Sequence, residues 1–104
     1  MEPCKVDFDA LSWTSPVEGI RFKLHKQGGR QIRLVEFRKG FTEPDWCRRG
    51  PIGCVLEGEC QIDFSGRCVR YKPGDGIFSS AGEADRHTAR VLGDMVRMVL
   101  VEDC

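Results

Sequence analysis

His87 and Cys47, forty positions apart, are the two residues whose type and setting best suit holding a metal or moving a proton. His87 offers an imidazole that changes charge near neutral pH, so the ring can ligate a metal or act as an acid or base. Cys47 offers a thiol, followed directly by Arg48 and Arg49. Neighbouring positive charge favours the thiolate, the form that binds zinc, iron or copper. Asp45 lies two residues before Cys47, and on an extended strand that spacing puts both side chains on one face. His87, Cys47 and Asp45 together make a reasonable site for one divalent transition metal (iron, zinc or manganese), with a coordination position left open.

Each of these residues also has an ordinary structural reading. His87, between Asp85-Arg86 and Arg90, suits a hydrogen-bonded histidine at the start of a strand. Cys47, beside Trp46, suits a small buried side chain. Trp46, Phe41, Phe78 and Met98 would either line a cavity or fill a core. Core is the better reading for Phe78 and Met98, whereas an indole beside a loop suits a ligand platform at Trp46. A redox role for Cys47 is a third reading. Gly28-Gly29 has no following Gly-Lys-Ser/Thr, so it is a turn and no phosphate loop. Ser79-Ser80 lacks the context of a nucleophilic serine.

The elements that must position these residues are strands. Ile20, Phe22 and Leu24 alternate with Arg21, Lys23 and His25, which predicts one buried and one wet face. Gln27-Gly28-Gly29-Arg30 reads as a turn. Ile32 to Phe37 is a second strand, apolar enough to be partly covered on both faces. Ile52 to Glu57 and Glu59 to Phe64 read as a hairpin about Gly58, and Arg67 to Tyr71 returns through Ser65-Gly66. That last turn places residue 64 opposite 67, 62 opposite 69, and 60 opposite 71. Cys60 then shares a face with Ile62 and Phe64 while Cys68 lies on the other, so the two thiols cannot bridge. Pro73-Gly74-Asp75 turns into a short strand through Phe78. His87 to Val91 and Val96 to Val101 supply the remaining strands. Short strands with Gly and Pro punctuation predict an all-β antiparallel sandwich or barrel. Residues 1–16 read as an N-terminal arm whose Leu11 and Trp13 dock on a neighbour or partner subunit; residues 17–104 read as a single β domain.

Composition narrows the classes of function. A chain of 104 residues has room for one domain. Its 16 basic and 16 acidic side chains cancel, and the first half exceeds the second by only a few positive charges. That argues against nucleic acid, which needs a dense basic face. No apolar run approaches the ~18 residues of a membrane span, and no leader pattern is present. The expected address is the cytoplasm, with the six cysteines mostly reduced. There is no Cys-x-x-Cys of the kind that structural zinc sites use.

From about Ile32 to Glu102 the order of signals resembles the cupin superfamily, the small jelly-roll barrels. Gly40 and Gly58 match the two glycines of that family's first motif. Pro73-Gly74-Asp75 matches the turn opening its second, and Gly82 and His87 match the later Gly and His. Ser80 stands where the family usually has Pro, and four residues separate Gly82 from His87 where the family usually has two. The first motif's glutamate falls on Pro51, and its His-x-His falls near Asp45 and Cys47 or one residue earlier, on Pro44 and Trp46. Trp46-Cys47 and Ile52-Gly53 are similar to a subgroup of short bacterial cupins. The resemblance implies an antiparallel jelly roll with a pocket inside the barrel, lined by Phe41, Trp46, Cys47 and His87, and a homodimer. It implies a small-molecule-binding protein with metal weak or absent. The alternative is a metal-dependent enzyme of oxygenase or isomerase type using Cys47, Asp45 and His87.

Overall fold

Among the described residues antiparallel strands follow one another from Ile20 to Asp103. The structure, a computed structural model, describes residues 4–41, 52–64, 66–78 and 87–103, with His87 described by its backbone. The strands are β1 (Ile20–Gln27), β2 (Arg30–Arg38), β3 (Ile52–Phe64), β4 (Arg67–Tyr71), β5 (Gly76–Phe78) and β6 (His87–Asp103). The sheet runs β1-β2-β6-β3-β4, and β5 pairs with β3. One 3-10 turn, Phe8–Ala10, precedes them, with Asp7 accepting the Asp9 N–H at its start.

Two strands build both halves of the molecule. The first part of β3 pairs with the last part of β6, from Ile52 opposite Val101 to Gly58 opposite Val96. The second part pairs with the start of β6, from Glu59 opposite Leu92 to Phe64 opposite His87. The register shifts between Val55 and Glu57, inside the first ladder, and again between Gly58 and Glu59, where Gly93, Asp94 and Met95 of β6 have no partner on β3. Gly58 and Gly93 sit at this break with positive φ, 76° and 100°, which side chains rarely tolerate. A bulge of this kind bends a strand and tightens its twist. The buried cluster accordingly joins Cys60, Ile62, Phe64 and Ala89 of one half to Val35, Phe37, Val55, Ile77, Val96, Met98 and Leu100 of the other. The sheet is rolled over its own core as an antiparallel jelly roll.

Gly58 therefore does not turn a hairpin, as the sequence pattern suggested; it is a bulge inside one 13-residue strand. The segments from His87 and to Val101 are likewise one strand of 17 residues. The register expected for β3 and β4 is present, with Phe64 opposite Arg67, Ile62 opposite Val69 and Cys60 opposite Tyr71. Cys60 is buried and Cys68 exposed, and both are free thiols, as are Cys4 and Cys54. Burial alone raises the Cys60 thiol to about 11, so it stays protonated and unreactive at neutral pH.

The N-terminal arm packs on its own chain. Thr14 bridges Phe22 of β1, the Trp13 ring lies 3.9 Å from the Arg21 guanidinium carbon, and Lys23 Nζ donates to the Phe8 carbonyl at 2.8 Å. The alternate face of β1, Arg21 and Lys23, is thus half-covered where an open wet face was expected. No helix among the described residues is long and apolar enough to cross a membrane.

Candidate functional site

The inward row of β2 changes character along its length. Side chains alternate across a strand, and Val35 and Phe37 belong to the buried core. Gln31 and Arg33 stand on the same face, four and two positions before Val35. The partner strand does the same: Val96, Met98 and Leu100 are core, and the next residue in that row is Glu102. The pairings Arg33–Leu100 and Gln31–Glu102 bring the polar residues together. Gln31 Nε2 donates to Glu102 Oε1 at 2.9 Å, and the Arg33 guanidinium pairs with the same oxygen. The Arg33 Nε–H is not aimed at that oxygen, so the contact is an ion pair and no aligned hydrogen bond. Arg33 also stands 5.5 Å from the ring centre of Phe22. One end of an otherwise apolar interior thus holds an amide, a carboxylate and a guanidinium.

Charges are rarely taken into a core without a partner, and an ion pair there stabilises little compared with apolar side chains of equal volume. The Gln31–Arg33–Glu102 corner is therefore poorly explained by stability alone. The sequence reading missed it. The signal lay in Gln31-Ile32-Arg33-Leu34-Val35-Glu36-Phe37, where the apolar residues change phase between 34 and 35.

The outward face shows the converse. Arg21, Glu36, Arg97 and Glu57 form one row across β1, β2, β6 and β3. Glu36 is fully buried within it. Arg97 reaches its Oε2 through Nε at 2.9 Å and a terminal nitrogen at 2.6 Å, and Arg21 Nε reaches Oε1 at 2.9 Å. Burial pushes the Glu36 carboxyl up, but the hydrogen bonds and charges of Arg97 and Arg21 outweigh it and hold the group below its ordinary value. Two rows further along, the outward face is apolar: Ile32, Val101, Ile52 and Phe78 line up across four strands. Phe78 is 84% exposed and Ile52 41%, so Phe78 is no core residue as the pattern suggested. Its neighbour Ile77 takes that role, because it is Ile77 that alternation turns inward. Met98 is core as expected.

Of the residues singled out for chemistry, Asp45, Trp46 and Cys47 lie outside the described residues, as does Pro51. His87 occupies the register position opposite Phe64, in the row that continues through Ala89 and Val91. Phe41 is partly buried, with its ring stacked on Phe37 at 5.3 Å. It also lines an open cleft of about 480 Å³ with Glu18, Gly19, Arg38, Lys39 and Gly40. Among the described residues no three His, Cys, Asp or Glu side chains converge as metal ligands do.

Comparison with known proteins places the fold. No protein-family model and no curated protein matches the sequence. Solved structures do. An RmlC-like cupin from Shewanella frigidimarina superimposes with a TM-score of 0.79 at 15% identity, over 98% of this chain and 91% of the other. KdgF from Halomonas sp. gives 0.77 at 21% identity, over 91% and 89%. The polyketide cyclase RemF from Streptomyces resistomycificus gives 0.76 at 17% identity, over 96% and 78%. The chain has the cupin fold, as its glycine and turn pattern suggested.

Proposed function

We propose that the protein binds a small molecule inside the rolled sheet and acts as a binding or sensor-type cupin in the cytoplasm. The observation that carries this reading is the corner of Gln31, Arg33 and Glu102 on an inward face that is otherwise apolar. Apolar walls with a few convergent polar groups are what ligand pockets are made of. The free thiols of Cys4, Cys54, Cys60 and Cys68 accord with a reducing compartment. Phe41, Trp46, Cys47 and His87 complete the lining in this reading. Similar folds carry a cyclase and an RmlC-like cupin of unstated role, so the fold does not select a reaction.

The second reading is metal-dependent catalysis of oxygenase or isomerase type. The position of His87, in the strand row that continues through Ala89 and Val91, speaks for it. His87, Cys47 and Asp45 would hold iron, zinc or manganese, which would supply Lewis acidity. Pro51 speaks against it, since proline offers no side-chain donor where the cupin pattern has a carboxylate. Metal analysis of protein purified without a metal-affinity tag separates the two. The binding reading expects less than stoichiometric iron, zinc and manganese, with the same content in His87→Ala. Stoichiometric metal that disappears in His87→Ala replaces it with the enzyme.

We also propose that the working unit is a homodimer joined through the outward row of Ile32, Val101, Ile52 and Phe78. An exposed apolar patch on a folded domain marks an association surface. Light scattering after gel filtration is expected to give twice the chain mass for the wild type and the single mass for Phe78→Glu. A monomeric wild type, or a variant that stays dimeric, removes this surface from consideration.

A further inference from the structure

Resting on the reading that the interior holds a small molecule, we infer that Arg33 is the anchor for a carboxylate on that molecule, so that the ligand class is small organic acids. Glu102 is the better-partnered group of the polar corner. Its Oε1 accepts from Gln31 and contacts Arg33, and it has a further partner. Arg33 is the unsaturated one. A guanidinium carries five N–H donors in a planar fork. Here its contact with Glu102 is made through a misaligned Nε, and its terminal nitrogens make no hydrogen bond among the described residues.

Spare donors select a ligand group that accepts without donating. A carboxylate matches the guanidinium fork with two parallel hydrogen bonds. A hydroxyl offers the fork one oxygen and no charge. The Arg33 side chain is 16% exposed against 1% for Glu102, so Arg33 is the more accessible member of the pair. Phe22 beside Arg33, with Leu100 and Ile77 in adjoining inward positions, offers an apolar surface for the carbon skeleton. Glu102 and Gln31 act as positioning residues, holding the guanidinium at one place on the wall.

The test titrates isotope-labelled protein with benzoate and lactate, each beside its neutral isostere, benzamide and lactamide, and follows amide resonances of β2 and β6. The acids are expected to shift Gln31 to Val35 and Leu100 to Glu102 saturably, and the amides are expected to leave them unmoved. Arg33→Gln is expected to weaken the acids by about tenfold or more, the effect of one charge-assisted pair. The double variant Arg33→Leu/Glu102→Leu removes both charges of the pair together and is expected to fold and to lose the acids equally. Arg70→Gln, at an exposed arginine, is expected to bind as the wild type does. Acids and amides binding alike, or a folded double variant that keeps its affinity for the acids, overturns Arg33 as the anchor while leaving interior binding intact. Failure of all four probes to bind inside the sheet overturns both this assignment and the reading on which it rests.

Discussion

Glu36→Gln is expected to lower the folding free energy by about 3 kcal/mol at pH 7, the lower end of what breaking a buried ion pair costs. The lower end applies because Arg21 and Arg97 are each 37% exposed and can turn to water. Glutamine keeps the shape of the side chain but removes the charge. Arg21, Arg97 and Arg38, which meet on Glu36, would then face an amide with donors of its own and repel one another across the sheet. The sign of the pH dependence follows from the direction of the shift. The carboxyl is held below its ordinary value of 4.5, so its contribution is complete above that pH and is lost as the pH falls through the lower, folded-state value. Urea denaturation of wild type and variant should therefore show a gap that is constant near neutrality and closes in acid. A gap under about 0.5 kcal/mol, as at an ordinary surface position, would show that the arginines do not depend on this carboxylate. A gap unchanged down to pH 3 would show the same of its charge.

Gly53→Ala is expected to be at least as damaging, for a purely steric reason. A Cβ at Gly53 would stand 1.8 Å from the carbonyl oxygen of Val99 on β6, and backbone in the middle of a ladder cannot move aside. The methyl group would have to push β3 and β6 apart where Gly53 pairs with both Leu100 and Ile77. The cost is about 3 kcal/mol or more, the upper range for forcing extra volume into a packed site, out of a total stability of only ~5–15 kcal/mol. Gly28→Ala is the control. Gly28 has a positive φ of 60° and open space around its Cβ position, so alanine there pays only the left-handed backbone strain of about 1 kcal/mol. Urea midpoints should rank wild type, Gly28→Ala and Gly53→Ala in falling order. Equal midpoints for the two variants would deny the close approach of β6 to Gly53.

The candidate site was legible only in part. His87 was visible as an imidazole at a strand start because a histidine after a Pro-Gly turn and a strand is a local pattern. Asp45 and Cys47 were read as partners for it from their own spacing of two, and both lie outside the described residues. Arg33 and Glu102 were invisible, because each alone looks like a charge on a strand. They become a site only when β2 and β6, separated by most of the chain, pair with Gln31 opposite Glu102. Glu36 was hidden for the same reason, since two of the three arginines that meet on it, Arg21 and Arg97, stand on other strands.

What this sequence determined by itself is local. Period-two alternation made strands, and Ser65-Gly66 set a register that placed Cys60 and Cys68 on opposite faces. The glycine and Pro-Gly positions marked a jelly roll. These features depend on steric limits within a few residues, and a reader of the chain can apply those limits directly. Which face of each strand lies inside was decided by tertiary structure. Ile32 and Leu34 are as apolar as Val35 and Phe37, yet the first pair lies on the outer face and the second in the core. Inside and outside are properties of the rolled sheet, set by what packs across it, and so the apolar residues of β2 could point both ways while Gln31 and Arg33 were carried to the inner wall.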